Sequence, residues 1–250
     1  LQRLEREEDH NGRYFKRIYS AGFNIILAMT IYMTLCTGVL SLGNAGFMSL
    51  GAYTSAILTV QYNVPLPLGI LAGGVVAMIV GLVIGIPTTR LRGLYLAIAT
   101  LGFGEVVRVI ALNLDITHGT LGFSGIPSMA NSLSDLAGNI GLTDALSMDS
   151  QTMESLLMCI VLIILFAVIV CFWNALEHSR IGRAFKDDEY AASLSGIYVV
   201  YYKMMTFLFS SFFAGVAGAL YAHATFFISP TDFTWHKVVD ALLYTVLNMI

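Results

Sequence analysis

Between Ile18 and Thr89 the chain contains no Asp, Glu, Lys, Arg or His, an uncharged run of 72 residues. Over all 250 residues only 12% are charged, against roughly a quarter in soluble domains. So little charge cannot clothe a water-facing surface of this size. A spanning helix needs about 20 apolar residues, so this one run holds about three. These absences exclude a soluble enzyme, a nucleic-acid binder and a disordered protein. Cysteine is scarce as well. Cys36, Cys159 and Cys171 all lie in apolar stretches, with no CxxC spacing and no nearby His pair. They read as small hydrophobes rather than metal ligands or a disulfide framework. No metal-ligand cluster and no G-x-x-x-x-G-K-[ST] phosphate loop is present, so the chain does not hydrolyse ATP by itself. The net charge of −3 implies no global electrostatic partner.

What is present is apolar sequence in blocks, at 18–42, 44–61, 67–88, 93–112, 155–176, 203–222 and 238–250. The last is too short to span alone, and it is cut off mid-run at Ile250, which reads as part of a longer permease-like chain. The 23 glycines include Gly69-xxx-Gly73 and Gly81-xxx-Gly85 in one block, with Ala214-xxx-Gly218 in another. Small residues at this spacing suit helices that pack closely in lipid. The expected architecture is an all-α polytopic transmembrane bundle over residues 18–250, after a polar segment at 1–17.

Positive charge in short loops marks the cytoplasmic side. Arg13, Lys16 and Arg17 flank the first block, Arg90 and Arg92 separate the third from the fourth, and Arg180, Arg183, Lys186 and Lys203 lie between the fifth and sixth. Residues 111–154 hold five acids and no Lys or Arg. The N-terminal segment, the turn near 90 and the loop at 178–202 are therefore expected inside, and the loop at 113–154 outside. This creates a parity problem. Arg17 and Arg90 on one side require an even number of crossings, yet three apolar blocks lie between them. Either one block is broken or re-entrant, with Ser41-Leu-Gly-Asn-Ala-Gly46 as the place, or the N-terminal segment lies outside, or a helix is merely kinked. Unwound backbone at membrane depth is tolerated where it is buried in protein or lines a wet cavity, and in transporters it often marks the substrate path.

Two loops carry more than connection. In Arg180–Ile197 the acids Asp187, Asp188 and Glu189 favour the start of a short helix, and Gly196 suits its C-cap. A short helix on the cytoplasmic face can dock into another protein, and a solvated connection is the plain alternative. The external stretch Asn113–Pro127, with three glycines and a proline, implies an ordered turn-rich structure.

Long motifs in order carry a resemblance. They are Ser41-Leu-Gly-Asn-Ala-Gly-Phe-Met-Ser-Leu-Gly-Ala-Tyr53, Arg90-Leu-Arg-Gly-Leu-Tyr-Leu-Ala-Ile-Ala-Thr-Leu-Gly-Phe-Gly-Glu105, Thr117–Pro127, Gly182–Gly196, and Phe207–Tyr221 continuing to Ser229-Pro230. The chain resembles the M-type permease subunits of bacterial branched-chain amino acid ABC importers over nearly all of residues 20–245. The resemblance implies a multi-pass protein of the inner membrane, paired with a second permease. It also implies two ATP-binding cassette subunits that use ATP and Mg, and a periplasmic or lipid-anchored binding protein that delivers the substrate. It implies that this chain binds no cofactor. Glu189-Tyr-Ala-Ala-Ser-Leu-Ser-Gly196 resembles the E-x-A-A-x-x-x-G coupling loop, which makes Gly182, Arg183, Asp187, Asp188, Glu189, Ala191, Ala192 and Gly196 the expected contact to the ATPase. There are two departures. Asn44 stands where many relatives carry His. After Leu247 the family continues with a Gly-Gly-x-Gly turn and further spans, where this chain reads Asn248-Met-Ile250.

The expected translocation path comprises Gly43, Asn44, Ser49 and Tyr53 at and after the break, with Thr100, Glu105 and Arg108 in the fourth block. Glu105 and Arg108 are ionisable groups at i, i+3 spacing inside an apolar stretch, where such groups are functional by default and suit a zwitterionic substrate. A structural pair near the outer interface is the alternative. Thr100 suits a bond back to its own helix. His223 reads as interfacial. In the external loop Thr117, Gly119, Gly122 and Pro127 are singled out. An enzyme reading pairs Ser124 of Gly122-Phe-Ser-Gly125 with His223 as base, but it sets the nucleophile in an external loop. A permease for urea or short amides and an ATP-independent secondary carrier are competing membrane functions.

Overall fold

The structure is a computed structural model that describes residues 22–88, 91, 93–127, 160–171, 193–194, 196 and 198–247. Its helices are α1 (Gly22–Cys36), α2 (Asn44–Gln61), α3 (Leu66–Thr88), α4 (Leu94–Asn113), α5 (Ile160–Cys171), α6 (Val199–Thr225) and α7 (Trp235–Leu247). Helices α3, α4 and α6 are long and apolar enough to cross a membrane. The described strands are β1 (Phe123–Ser124) and β2 (Phe227–Ile228), an antiparallel pair with Phe123 opposite Ile228. The all-α bundle expected from the apolar blocks is the architecture observed, and the predicted blocks 44–61, 67–88 and 93–112 coincide with α2, α3 and α4 to within a residue.

The centre of the bundle is built from backbone. The buried face of α3 carries Gly69, Gly73, Ala77, Gly81 and Gly85, a small residue every fourth position. A Cβ on Gly73 would lie 2.7 Å from the Gly51 carbonyl oxygen, and one on Gly215 would lie 3.0 Å from that of Gly73. Helices α2, α3 and α6 therefore touch through main chain, as small-xxx-small faces allow in lipid. Dispersion and weak Cα–H···O contacts hold such a seam, because no hydrophobic drive acts between helices in an apolar solvent.

Side-chain contacts fix the helix directions. Ser55 of α2 meets His223 near the end of α6, so α2 and α6 run parallel. Gly69 of α3 lies beside Ser55 and Thr59, whereas Gly85 lies beside Met204 and Phe207, so α3 runs against both. Thr100 of α4 meets Leu42, and Gly104 meets Gly46, so α4 runs with α2. The ring of Phe23 packs on Tyr221, the Thr30 carbonyl accepts from Ser210, and Val39 is buried with Phe207 and Leu96, so α1 runs against α6. Gly22, Gln61, Asn113 and Thr225 thus share one end of the bundle, and Thr88, Leu94 and Val199 share the other.

These directions bear on the parity problem. Helices α1, α2 and α3 make three alternating passes, the first two joined at 37–43 by a broken segment buried in the protein. The segment before Gly22 lies outside the described residues. If the arginine-flanked turn is inside, the end bearing Gly22 is outside.

Candidate functional site

The break between α1 and α2 is bonded along its backbone by its neighbours. The Thr34 carbonyl accepts from the amide of Val39 at 2.9 Å and from the hydroxyl of Thr37 at 2.9 Å, while Gly38 turns the chain at φ +72°. The Leu42 amide donates to Thr100 Oγ1 at 3.0 Å, and that hydroxyl donates in turn to the Leu96 carbonyl. Thr100 thus makes the expected bond to its own helix and also caps an unwound segment 58 residues away. Asn44 opens α2 and donates from Nδ2 to Thr30 Oγ1 at 3.0 Å. Gly43 and Gly46 let α2 approach α4 closely, since a Cβ on Gly43 would lie 3.0 Å from the Thr100 carbonyl oxygen and one on Gly46 would lie 2.9 Å from Gly104 Cα.

Among the described residues, three hydroxyls in this part of the chain are buried without a partner: Ser41, Ser49 and Tyr53. Ser49 and Tyr53 are four residues apart, so they share the face of α2 that carries Gly46 toward α4. Above them the Tyr53 ring rests near that of Phe233, with centroids 6.2 Å apart. A buried hydroxyl left unpaired costs about 1–3 kcal/mol, which sets these three apart from the hydrogen-bonded break around them.

The structure does not bring the expected path residues into one site. Thr100, Val107 and Ala111 lie on the buried face of α4. Glu105 and Arg108 lie off that face and are partly exposed, beside the exposed Leu101. The two ions pair with each other, Arg108 Nε donating to Glu105 Oε1 at 2.9 Å, with side chains 23% exposed for Arg108 and 43% for Glu105. Glu105 sits about 16 Å along α4 from Leu94, near the middle of the span. No group of three or more His, Cys, Asp or Glu suited to hold a metal occurs among the described residues.

At the far end of α4, Thr117 is buried and donates to the Leu114 carbonyl at 2.8 Å. Gly119 and Gly122 adopt positive φ, and a Cβ on Gly122 would strike the Phe227 ring at 2.5 Å. This brings β1 onto β2. Pro127 ends the stretch with its carbonyl 3.1 Å from His223 Nδ1. His223 lies in the last turn of α6, buried within the protein, and its Nε2 is 3.0 Å from Ser55 Oγ. Both ring nitrogens are therefore engaged away from Ser124, and the serine–histidine pairing of the enzyme reading is not formed. Sequence reasoning missed this arrangement because the partners of His223 lie 168 and 96 residues away.

Of the expected coupling residues, Gly182, Arg183, Asp187, Asp188, Glu189, Ala191 and Ala192 lie outside the described residues. Gly196 has φ +81° and its amide donates to the Ser193 carbonyl at 3.2 Å, the backbone of a turn that favours glycine. Val199 begins α6 three residues later.

Long apolar helices packed through glycine, around a break that keeps buried hydroxyls unpaired, are the architecture of a helical membrane permease. The sequence matches the family described as "Branched-chain amino acid transport system / permease component" over residues 14–250, and the chain belongs to that family. It is 33% identical, over 242 residues and 92% of its length, to the "High-affinity branched-chain amino acid transport system permease protein LivM" of Salmonella typhimurium (strain LT2). It is equally similar to the protein of the same name from Escherichia coli (strain K12). The match covers 55% of each relative, so the chain spans about half the length of the curated relatives. No solved structure matches.

Proposed function

We propose that the chain is the membrane-spanning subunit of an ATP-driven importer of branched-chain amino acids in a bacterial inner membrane. In this reading it pairs with a second permease, and two ATP-binding cassette subunits supply the energy of ATP and Mg. A periplasmic or lipid-anchored binding protein delivers the substrate outside, at the end bearing Asn113 and Thr225. The chain performs no covalent chemistry. It contributes a path whose outward- and inward-open states its partners stabilise in turn. The segment ending at Gly196 receives the push from the ATPase and passes it to α6.

Family membership over residues 14–250 carries this reading. The path itself we assign to the exposed face of α4. A charged group at the bilayer centre costs about 2.5–3.5 kcal/mol on insertion scales, which disfavours a lipid-facing Glu105–Arg108 pair and favours a wet or protein-lined one. An exposed wall completed by the second permease satisfies that requirement, and the paired charges can exchange partners with a passing ammonium and carboxylate. The unwound segment 37–43 and its glycine contacts then sit behind this wall, where they let α4 tilt.

The test is purification of the tagged chain from its native membrane, with co-purifying subunits identified by mass, followed by uptake of radiolabelled leucine in liposomes. Recovery with a second permease and two ATPases, and uptake that requires ATP, is the expected result. Transport by the chain alone without ATP would make it a secondary carrier, and uptake of urea in place of leucine would move it to the amide branch.

A further inference from the structure

Resting on the transport reading, we propose that the strand pair 123–124/227–228 with Ile126 and Pro127 is an outer gate, latched shut by the hydrogen-bonded chain Ser55–His223–Pro127. A carbonyl oxygen only accepts, so His223 Nδ1 carries the proton toward Pro127, and Nε2 then accepts from the Ser55 hydroxyl. Neutral histidine in this one tautomer joins three elements: α2, α6 and the end of the external stretch. Phe123 and Ile228, which face each other across the pair, are both buried in a cluster with Ile126, Phe233, Tyr53, Ala52, Ala111 and Ala222. They close the outer end of the seam between α2 and α4. Beneath them lie Ser49 and Tyr53, buried at 2% and 6% exposure with unpartnered hydroxyls. Polar hydroxyls beneath an apolar lid suit a seam that water enters when the lid lifts. His223 is thus a positioning residue. It touches no expected path residue, and it acts by holding the external stretch against α2 and α6.

The experiment uses the assembled importer in intact cells, with Ser49→Cys as a reporter and a membrane-impermeant maleimide added outside. With His223 intact, labelling is slow. His223→Leu removes both hydrogen bonds and is expected to speed labelling roughly tenfold, the ratio that one or two modest hydrogen bonds shift. His223→Gln presents an amide N–H to Pro127 and a carbonyl to Ser55, and is expected to restore slow labelling. Ser55→Ala removes one bond at little change in volume, and serves if His223→Leu fails to insert. It is expected to speed labelling a few-fold. Equal labelling of all variants overturns the gate. Failure of glutamine to restore what leucine lifts overturns the hydrogen-bonded latch in favour of plain packing. Labelling reads the gate without transport. Fast labelling in the leucine variant of a protein that shows no ATP-driven uptake keeps the gate and sinks the importer reading. ATP-driven uptake with equal labelling does the reverse.

Discussion

Gly51 and Gly215 meet main chain to main chain: a Cβ built on Gly51 would lie 2.0 Å from the Gly215 carbonyl oxygen. One turn away the relation repeats, with a Cβ on Gly218 falling 1.9 Å from the Met48 carbonyl oxygen. Helices α2 and α6 have no room for a methyl group at either point.

Gly51→Ala and Gly218→Ala should each destabilise the folded chain by about 3 kcal/mol or more, because backbone rather than a flexible side chain must yield. Gly102→Ala is the control. A Cβ there would meet nothing within 4 Å beyond its own stretch of helix, and alanine favours the helix by about 1 kcal/mol over glycine. Thermal denaturation of the detergent-solubilised protein should show lower midpoints for the first two and an equal or higher one for the third. Equal midpoints across the set would refute the main-chain seam.

Thr100→Val should cost about 1–3 kcal/mol by leaving the buried Leu42 amide without its acceptor, while Thr100→Ser should keep most of the stability. The same denaturation series reads this. A valine variant as stable as the parent would mean that the break does not lean on α4.

Glu105→Gln should lower ATP-driven leucine uptake while leaving thermal stability nearly unchanged, since the pair lies off the buried face of α4 and is partly exposed. The reverse pattern, normal uptake with a lowered midpoint, would make the pair structural.

Gly196→Val should leave membrane insertion intact and uncouple ATP hydrolysis from uptake, because φ +81° strains any residue with a β-branch. Parallel assays of ATPase activity and uptake check this, and normal uptake would remove Gly196 from the coupling assignment.

Gln61→Cys should react with an impermeant maleimide from outside, and Leu91→Cys only after the membrane is opened. These two positions flank opposite ends of α3. The opposite labelling pattern would turn the bundle over and place the end bearing Gly22 inside.

Much of the fold is legible in the sequence because uncharged runs and their punctuation are local signals. The break shows as Ser41-Leu-Gly-Asn-Ala-Gly46, and α2 begins at Asn44 within it. The stripe on α3 shows as glycines four apart. What is not local is not legible. Hydropathy does not tell which face of α4 is covered, so Thr100 and Glu105 read as neighbours although only Thr100 lies on the buried face. Period alone does not separate them, since both lie among apolar residues. The burial of His223 is set by Ser55 and Pro127, and the two-residue strands are too short to leave an alternating pattern.

Helix α6 is 27 residues long without a break, about 40 Å from Val199 to Thr225. The pass beside it, from Thr37 to Gln61, follows the same direction only by adding an unwound stretch to the start of α2. The two passes therefore differ in compliance. Helix α6 keeps a continuous hydrogen-bonded ladder from Val199 to Thr225, whereas Thr37–Gly43 leans on Thr34 and Thr100 for its bonds. One bundle thus sets a stiff pass and a softer one side by side, in contact along Gly215 and Gly51.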